Sequence, residues 1–168
     1  CATGQHLVTV IDLGLQLARG FRVTQYADAS LANDIYAMTL DARGEVVVTS
    51  RGYIRTLLDN DGDGIADSSR EFAGTATGGM GLCFDGNDLI FVGDGFFSRY
   101  RDSNGDGIAD GEPEQLLPLQ FREHGGHAPR KGPDGWWYVI GGNDTGFDQR
   151  HTTIPASTII KPEAGAIL

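Results

Sequence analysis

The sequence predicts an all-β fold, and three features carry that prediction. Short runs rich in β-branched and aromatic residues, such as Glu45–Ser50 and Asp88–Val92, have the length and composition of strands. Glycine is abundant, at 25 of 168 residues, and falls between the runs, where tight turns need it. The stretch Asp59-Asn60-Asp61-Gly62-Asp63-Gly64-Ile65-Ala66-Asp67 returns as Asp102-Ser103-Asn104-Gly105-Asp106-Gly107-Ile108-Ala109-Asp110, every position displaced by 43 residues. With 40% apolar and 21% charged residues, the composition is that of a globular chain, not a disordered one.

Taken in order, residues 1–20 read as a lead-in that docks on the domain, with an apolar run Leu7–Leu13; residues 21–168 form the domain itself. Phe21–Ala27 alternates bulky and polar side chains, the period of a half-buried strand. The first repeat, about 35–77, offers strands at Ile35–Leu40, Glu45–Ser50 and Tyr53–Leu58, then the acidic loop and a short run Ser69–Ala73. The second, about 78–120, retraces this with Met80–Phe84, Asp88–Val92, Phe96–Arg101, the second acidic loop and Glu114–Leu117. At the same offset Gly52 falls on Gly95, Tyr53 on Phe96 and Leu57 on Tyr100, so the whole unit repeats and not the loop alone. A third unit, about 121–168, opens with His127–Gly132, the turn Pro133-Asp134-Gly135 and Trp136–Ile140, then loses the period; Ile159-Ile160 and Ala166–Leu168 read as further strand material.

Repeats of about 40–45 residues with four short strands mark the blades of a β-propeller. The expected architecture is therefore roughly two and a half four-stranded antiparallel blades. That number cannot close a propeller, and both ends would expose unpaired backbone. The chain is accordingly expected to be a piece of a longer protein that carries the remaining blades. The alternative is a small open β-sheet domain that completes itself by oligomerising.

The net charge of −10 argues against nucleic acid or an anionic membrane surface as the main partner, although seven aspartates of the two loops supply much of it. No apolar run approaches the roughly 18 residues of a transmembrane helix. A cysteine at position 1 is what a cleaved bacterial lipoprotein shows, and the expected location is extracytoplasmic: periplasmic, secreted or cell-surface. Cys83, inside an apolar run, is expected to be a small buried hydrophobe.

Oxygen donors at positions 1, 3 and 5, a glycine at 6, a backbone carbonyl at 7 and an acid at 9 describe an EF-hand-type calcium loop. The first copy supplies Asp59, Asp61, Asp63, Gly64, Ile65 and Asp67; the second supplies Asp102, Asn104, Asp106, Gly107, Ile108 and Asp110. Position 12, ordinarily a bidentate glutamate, is Arg70 in one copy and Pro113 in the other, and Glu71 and Glu114 one place later are expected to supply the missing ligand. The competing reading is a solvated Asp/Gly turn without metal. Four carboxylates within nine residues repel one another, which favours a cation.

Chemistry, if the chain performs any, is expected at Glu123-His124-Gly125-Gly126-His127-Ala128-Pro129-Arg130-Lys131-Gly132-Pro133-Asp134-Gly135. A histidine with an unperturbed pKa of about 6.5 can act as a general base. The plainer alternative is that His124 and His127 make structural hydrogen bonds.

The segment from His124 through Gly132-Pro133-Asp134-Gly135 to Trp137-Tyr138-Val139-Ile140-Gly141-Gly142-Asn143 resembles the six-bladed propellers of soluble quinoprotein sugar dehydrogenases, glucose and sorbosone type. Gly20–Thr24, Met38–Asp41 and Val46–Arg51 resemble their first blade. The Asp-Gly-Asp-Gly loops with Gly-Pro-Asp-Gly-Trp-Trp-Tyr resemble the large secreted membrane-bound-dehydrogenase-like propeller proteins of planctomycete-type bacteria. The resemblance implies oxidation of a sugar or alcohol hydroxyl, with His124 as the base and pyrroloquinoline quinone as hydride acceptor. It places Asn143, with Asp144 beside it, where an aspartate orients that histidine, and makes Phe21–Ala27 the outer strand of the last blade. The alternatives are a non-catalytic calcium-stabilised propeller serving as a binding or scaffold module, and a metal-dependent lactonase-like propeller, whose inward ligands this chain does not display.

Overall fold

The computed structural model describes residues 7–10, 13–120, 122, 124–147 and 166–167. Cys1, Glu123 and the expected strand at Ile159-Ile160 lie outside the described residues. Among the described residues the structure is all-β, without α-helix, and every strand pairing is antiparallel.

The lead-in contains a hairpin of β1 (Leu7–Val10) and β2 (Leu15–Ala18). The first repeat is a four-stranded meander of β3 (Ala37–Leu40), β4 (Val46–Ser50), β5 (Tyr53–Leu58) and β6 (Ser68–Ala73), paired in that order. The second repeat is β7 (Gly79–Asp85), β8 (Asp88–Gly93), β9 (Phe96–Tyr100) and β10 (Glu114–Pro118), again in order. The third sheet joins β11 (Gly126–Lys131), β12 (Trp137–Gly141) and β13 (Ala166–Ile167).

The central strands explain the layering. β8 reads Leu-Ile-Phe-Val and is buried on both faces, as a strand between two neighbouring sheets must be. Leu89 and Phe91 point to one side, into a cluster with Val47, Ile54, Phe72, Leu82 and Tyr100 that fills the space against the first sheet. Ile90 and Val92 point to the other, into a cluster with Phe97, Leu119 and Val139 against the third sheet. Edge-to-face contacts of Phe72 with Phe84 (5.7 Å) and of Phe91 with Tyr100 (5.9 Å) lock the first of these layers. Gly81 lets β11 approach β7 closely, since a Cβ there would stand 2.4 Å from Pro129 Cδ.

Phe21–Ala27 does not form the expected strand. Its backbone gives one bond of a ladder, Ala66 N–H to the Tyr26 carbonyl at 2.7 Å, and residues 21–28 carry no strand assignment. Its burial does not follow the alternation: Phe21 is exposed, whereas the consecutive Tyr26 and Ala27 pack with Leu31 and Ala32 against Val48, Tyr53, Leu57 and Ala66. Cys83 is half-buried, with a free thiol.

Candidate metal centre

Each acidic loop leaves the third strand of its sheet and re-enters the fourth. The two are built alike. Asp67 N–H returns to the Leu58 carbonyl and Asp110 N–H to the Arg101 carbonyl, both at 2.8 Å, closing each loop at its neck. The two Asp59 oxygens accept from Gly62 N–H (2.8 Å) and Gly64 N–H (2.9 Å); those of Asp102 accept from Gly105 N–H (2.8 Å) and Gly107 N–H (2.9 Å). Asp63 accepts from Ile65 N–H at 2.8 Å, and Asp106 from Ile108 N–H at 2.9 Å. The ninth residue closes on the second: Asp67 accepts from Asn60 N–H (2.8 Å), Asp110 from Ser103 N–H (3.0 Å) and from its hydroxyl (2.7 Å). Those Ser103 hydrogen bonds, side chain then backbone, hold the Asp110 carboxyl below the usual carboxylate range.

The consequence for the first loop is convergence. Asp59, Asp61 and Asp67 each present a carboxylate oxygen within 4.8 Å of the others, a group able to hold a metal ion. Asp59 is half-buried and the other two are exposed. The donors are hard carboxylate oxygens, which suit Ca²⁺ or Mg²⁺ over softer metals. In the second loop Asn104 replaces the aspartate at position 3, and its amide donates to Asp106 at 3.0 Å, so the equivalent trio has one carboxylate fewer. Glu71 and Glu114 stand on β6 and β10 and meet Arg55 and Arg101, each at 3.1 Å; the structure does not bring Glu71 into the trio.

Sequence reasoning missed what holds the second loop to the first sheet. Arg43 donates to the Gly105 carbonyl, and the Arg70 guanidinium lies against Gly107, where a Cβ would stand 2.4 Å from Nη2. Arg70 also pairs with Glu45 at 3.2 Å. The one local signal was Arg70 itself, the residue at position 12 where calcium loops carry glutamate. A second anchor is Asp94, which accepts from the hydroxyls of Thr75 and Thr77 and from the N–H groups of Ala76 and Thr77 (2.7–3.1 Å). Burial alone would raise its pKa, but those bonds outweigh it and hold the carboxyl below its ordinary value.

His124 is exposed at the entry to β11. Its carbonyl accepts from Asp144 N–H at 3.0 Å, and Gly142 lies so close that a Cβ would stand 2.3 Å from that carbonyl oxygen. The backbone thus brings His124 beside exposed Asn143 and half-buried Asp144, although no side-chain hydrogen bond joins them among the described residues. His127 lies on β11, opposite Ile140. Arg130 donates to the Leu82 and Pro129 carbonyls (3.4 and 3.3 Å), and Lys131 to both oxygens of Asp85 (2.9 and 2.7 Å).

No helix among the described residues is long and apolar enough to cross a membrane. Residues 13–158 match a family model described as a domain of unknown function (DUF7133), and the chain belongs to that family. No curated protein and no solved structure matches the chain.

Proposed function

We propose that this member of the DUF7133 family is a calcium-stabilised β-propeller module acting outside the cytoplasm as a binding or scaffold unit. The observation that carries the reading is the convergence of Asp59, Asp61 and Asp67 in a loop whose internal hydrogen bonds recur 43 residues later. Two four-stranded meanders, whose first strands adjoin each other and then β11, support the blade arrangement. Asp59, Asp61, Asp67, Asp63 and the Ile65 carbonyl would hold the first ion; Asp102, Asn104, Asp106, Asp110 and the Ile108 carbonyl the second. Calcium accepts 6–8 oxygens in a flexible shell, whereas Mg²⁺ demands a rigid octahedron. With Glu71 held by Arg55, no bidentate glutamate completes the first set. Affinity should therefore fall in the range of extracellular modules, about 10⁻⁴–10⁻³ M. Titration calorimetry should give two calcium ions per chain, and one after Asp61→Ala. Heat no different from buffer dilution at millimolar calcium refutes the reading.

One observation favours a second reading, oxidation of a sugar or alcohol hydroxyl by pyrroloquinoline quinone: His124 is exposed and held beside Asn143 and Asp144. The cofactor's carboxylates need cations, and Arg130 and Lys131 of this segment are engaged with the Leu82 and Pro129 carbonyls and with Asp85. Dye-coupled oxidation with added quinone and calcium tests this reading. No turnover, together with no absorbance change on quinone titration, would sink it.

A further inference from the structure

Between the first two sheets, beside the second acidic loop, lies a groove of about 770 Å³, a volume that suits a drug-sized ligand. Residues 71–76, from the end of β6 and the turn after it, line it together with residues 108–109 and 111–113, where the loop runs toward β10. β9 contributes Phe96, Ser98 and Tyr100, which strand alternation turns toward the first sheet while Phe97 packs toward the third.

Two observations mark the groove as a site. Ser98 is 3% exposed, yet its hydroxyl has no hydrogen-bond partner among the described residues, a state that a buried polar group rarely keeps. Glu71, Asp94 and Glu112 line the groove and no Lys, Arg or His side chain does. Glu71 is paired with Arg55, and Asp94 is taken up by Thr75, Ala76 and Thr77, whereas Glu112 has no ion-pair partner among the described residues. Burial, and then the charges of Asp94 and Glu112, push the Tyr100 phenol up to about 12. A field that disfavours a phenolate favours a cation.

The first repeat shows what such a place holds. Strand pairing sets Arg55 opposite Val48 as it sets Ser98 opposite Phe91, and the two pairs are 43 residues apart. Arg55 lies over the Tyr53 ring, 4.4 Å from its centroid, and donates to the Leu31 carbonyl at 2.7 Å and to Glu71 at 3.1 Å. At the same offset Tyr53 corresponds to Phe96 and Leu31 to Gly74, both of which line the groove or its β9 side. The first repeat therefore fills this position with its own guanidinium, set on an aromatic ring and on a carbonyl of the preceding segment. The second repeat keeps the ring and puts a serine where the cation stood.

We propose that the groove binds a small organic cation with an apolar body, an alkyl- or arylammonium, whose charged group takes beside Phe96 and Ser98 the place that Arg55 fills in the first repeat. The Phe96 ring attracts the charge, the Ser98 hydroxyl accepts a hydrogen bond from it, and Glu112 supplies the opposite charge. Ile108, 49% exposed on the loop side, meets the apolar body. The inference names a ligand for the binding module proposed above and rests on that reading, not on calcium.

The test is a titration of the isotope-labelled full chain, in calcium, with phenethylammonium into the millimolar range, followed by backbone amide chemical shifts. Amides of residues 71–76, 96–100 and 108–112 should move. Phenethyl alcohol should bind at least about fivefold more weakly, because it lacks the charge, and phenylacetate should not bind. Ser98→Arg restores the residue of the first repeat, and it should fold by circular dichroism and abolish the response. Glu112→Gln should weaken amine binding about two- to fivefold and leave the alcohol unchanged. Equal affinity for amine and alcohol overturns the proposal, as do shifts confined to residues 59–67 or a folded Ser98→Arg variant that binds like wild type. If that variant does not fold, Glu112→Gln decides, and an unchanged Kd there overturns the proposal as well. A silent groove in a sample that binds calcium by calorimetry overturns this inference alone and leaves the calcium reading standing.

Discussion

Calcium bound by the folded state alone must raise the melting temperature, and the size of the rise follows from the two loops. At 10 mM free calcium, tenfold to a hundredfold above a Kd of about 10⁻³–10⁻⁴ M, each site contributes about 1.4–2.7 kcal/mol, so two independent sites give about 3–5 kcal/mol. In a chain of this length each kcal/mol moves Tm by roughly 2–4 °C. The expected rise is therefore roughly 6–20 °C for both loops and half that for one. Asp61→Ala isolates the first. Asp61 is exposed and its one internal bond is to Asp63 N–H at 3.1 Å, so the calcium-free protein should melt close to wild type. The calcium increment should nevertheless fall by about half. Scanning calorimetry in EDTA, in 10 mM calcium and in 10 mM magnesium measures all three quantities, with magnesium expected to give the smaller shift. An unchanged Tm in excess calcium, or an Asp61→Ala variant with the full increment, would refute the assignment of the trio as a calcium site.

The arginine clamp makes the two loop glycines unequal. Gly64 and Gly107 both have φ in the left-handed region, +86° and +81°, which costs a side chain about 1–2 kcal/mol. Nothing lies within 4 Å of a Cβ at Gly64, whereas one at Gly107 meets the Arg70 guanidinium. Urea denaturation should accordingly show Gly107→Ala to be the more destabilising, by about 1 kcal/mol or more. Phe91→Ala should cost about 3–5 kcal/mol in the same assay, because Phe91 is fully buried between the first two sheets. Asp94 has a lowered folded pKa, so its contribution is present above the unfolded value of about 3.9 and is lost as pH falls through the folded value. The stability gap between wild type and Asp94→Asn should therefore be open at pH 7 and close progressively below about pH 4.

The strands were legible because their signals are local. Tyr53–Leu58 has the same bounds in sequence and structure, and the neighbouring strands shift by one or two residues at their ends. Phe21–Ala27 shows where alternation falls short: Tyr26 and Ala27 are packed but Phe21 is exposed, and a local pattern says nothing of whether a partner strand is there to pair with. Spacing named positions 1, 3, 5 and 9 of the loop as side-chain donors, and the structure groups Asp59, Asp61 and Asp67 within reach of one ion without Asp63. Glu71 was not readable from spacing. One residue past position 12 it already lies on β6, where the ladder sets it opposite Arg55, and a count along the chain cannot show which way that strand turns its side chain. Arg43 and Arg70 reach a loop in another repeat, and no local pattern encodes such a contact.

The loops' position also explains why a cation there would bear on the stacking of sheets and not only on a turn. In each loop the eighth residue donates outward to the unit before it: Ala66 N–H to the Tyr26 carbonyl at 2.7 Å, Ala109 N–H to the Phe72 carbonyl at 2.9 Å. Phe72 belongs to β6, the outer strand of the first sheet, one edge of which has no partner strand among the described residues. Tyr26 occupies the matching place before the first sheet, packed into the cluster that holds Ala66, as Ala109 is packed against the cluster that holds Phe72. The ninth residue, Asp67 or Asp110, adjoins that donor and is also a candidate ligand. Fixing the ninth carboxylate on a cation therefore fixes the amide that ties one sheet to the next. Calcium in these loops would act across the seams as well as within each turn.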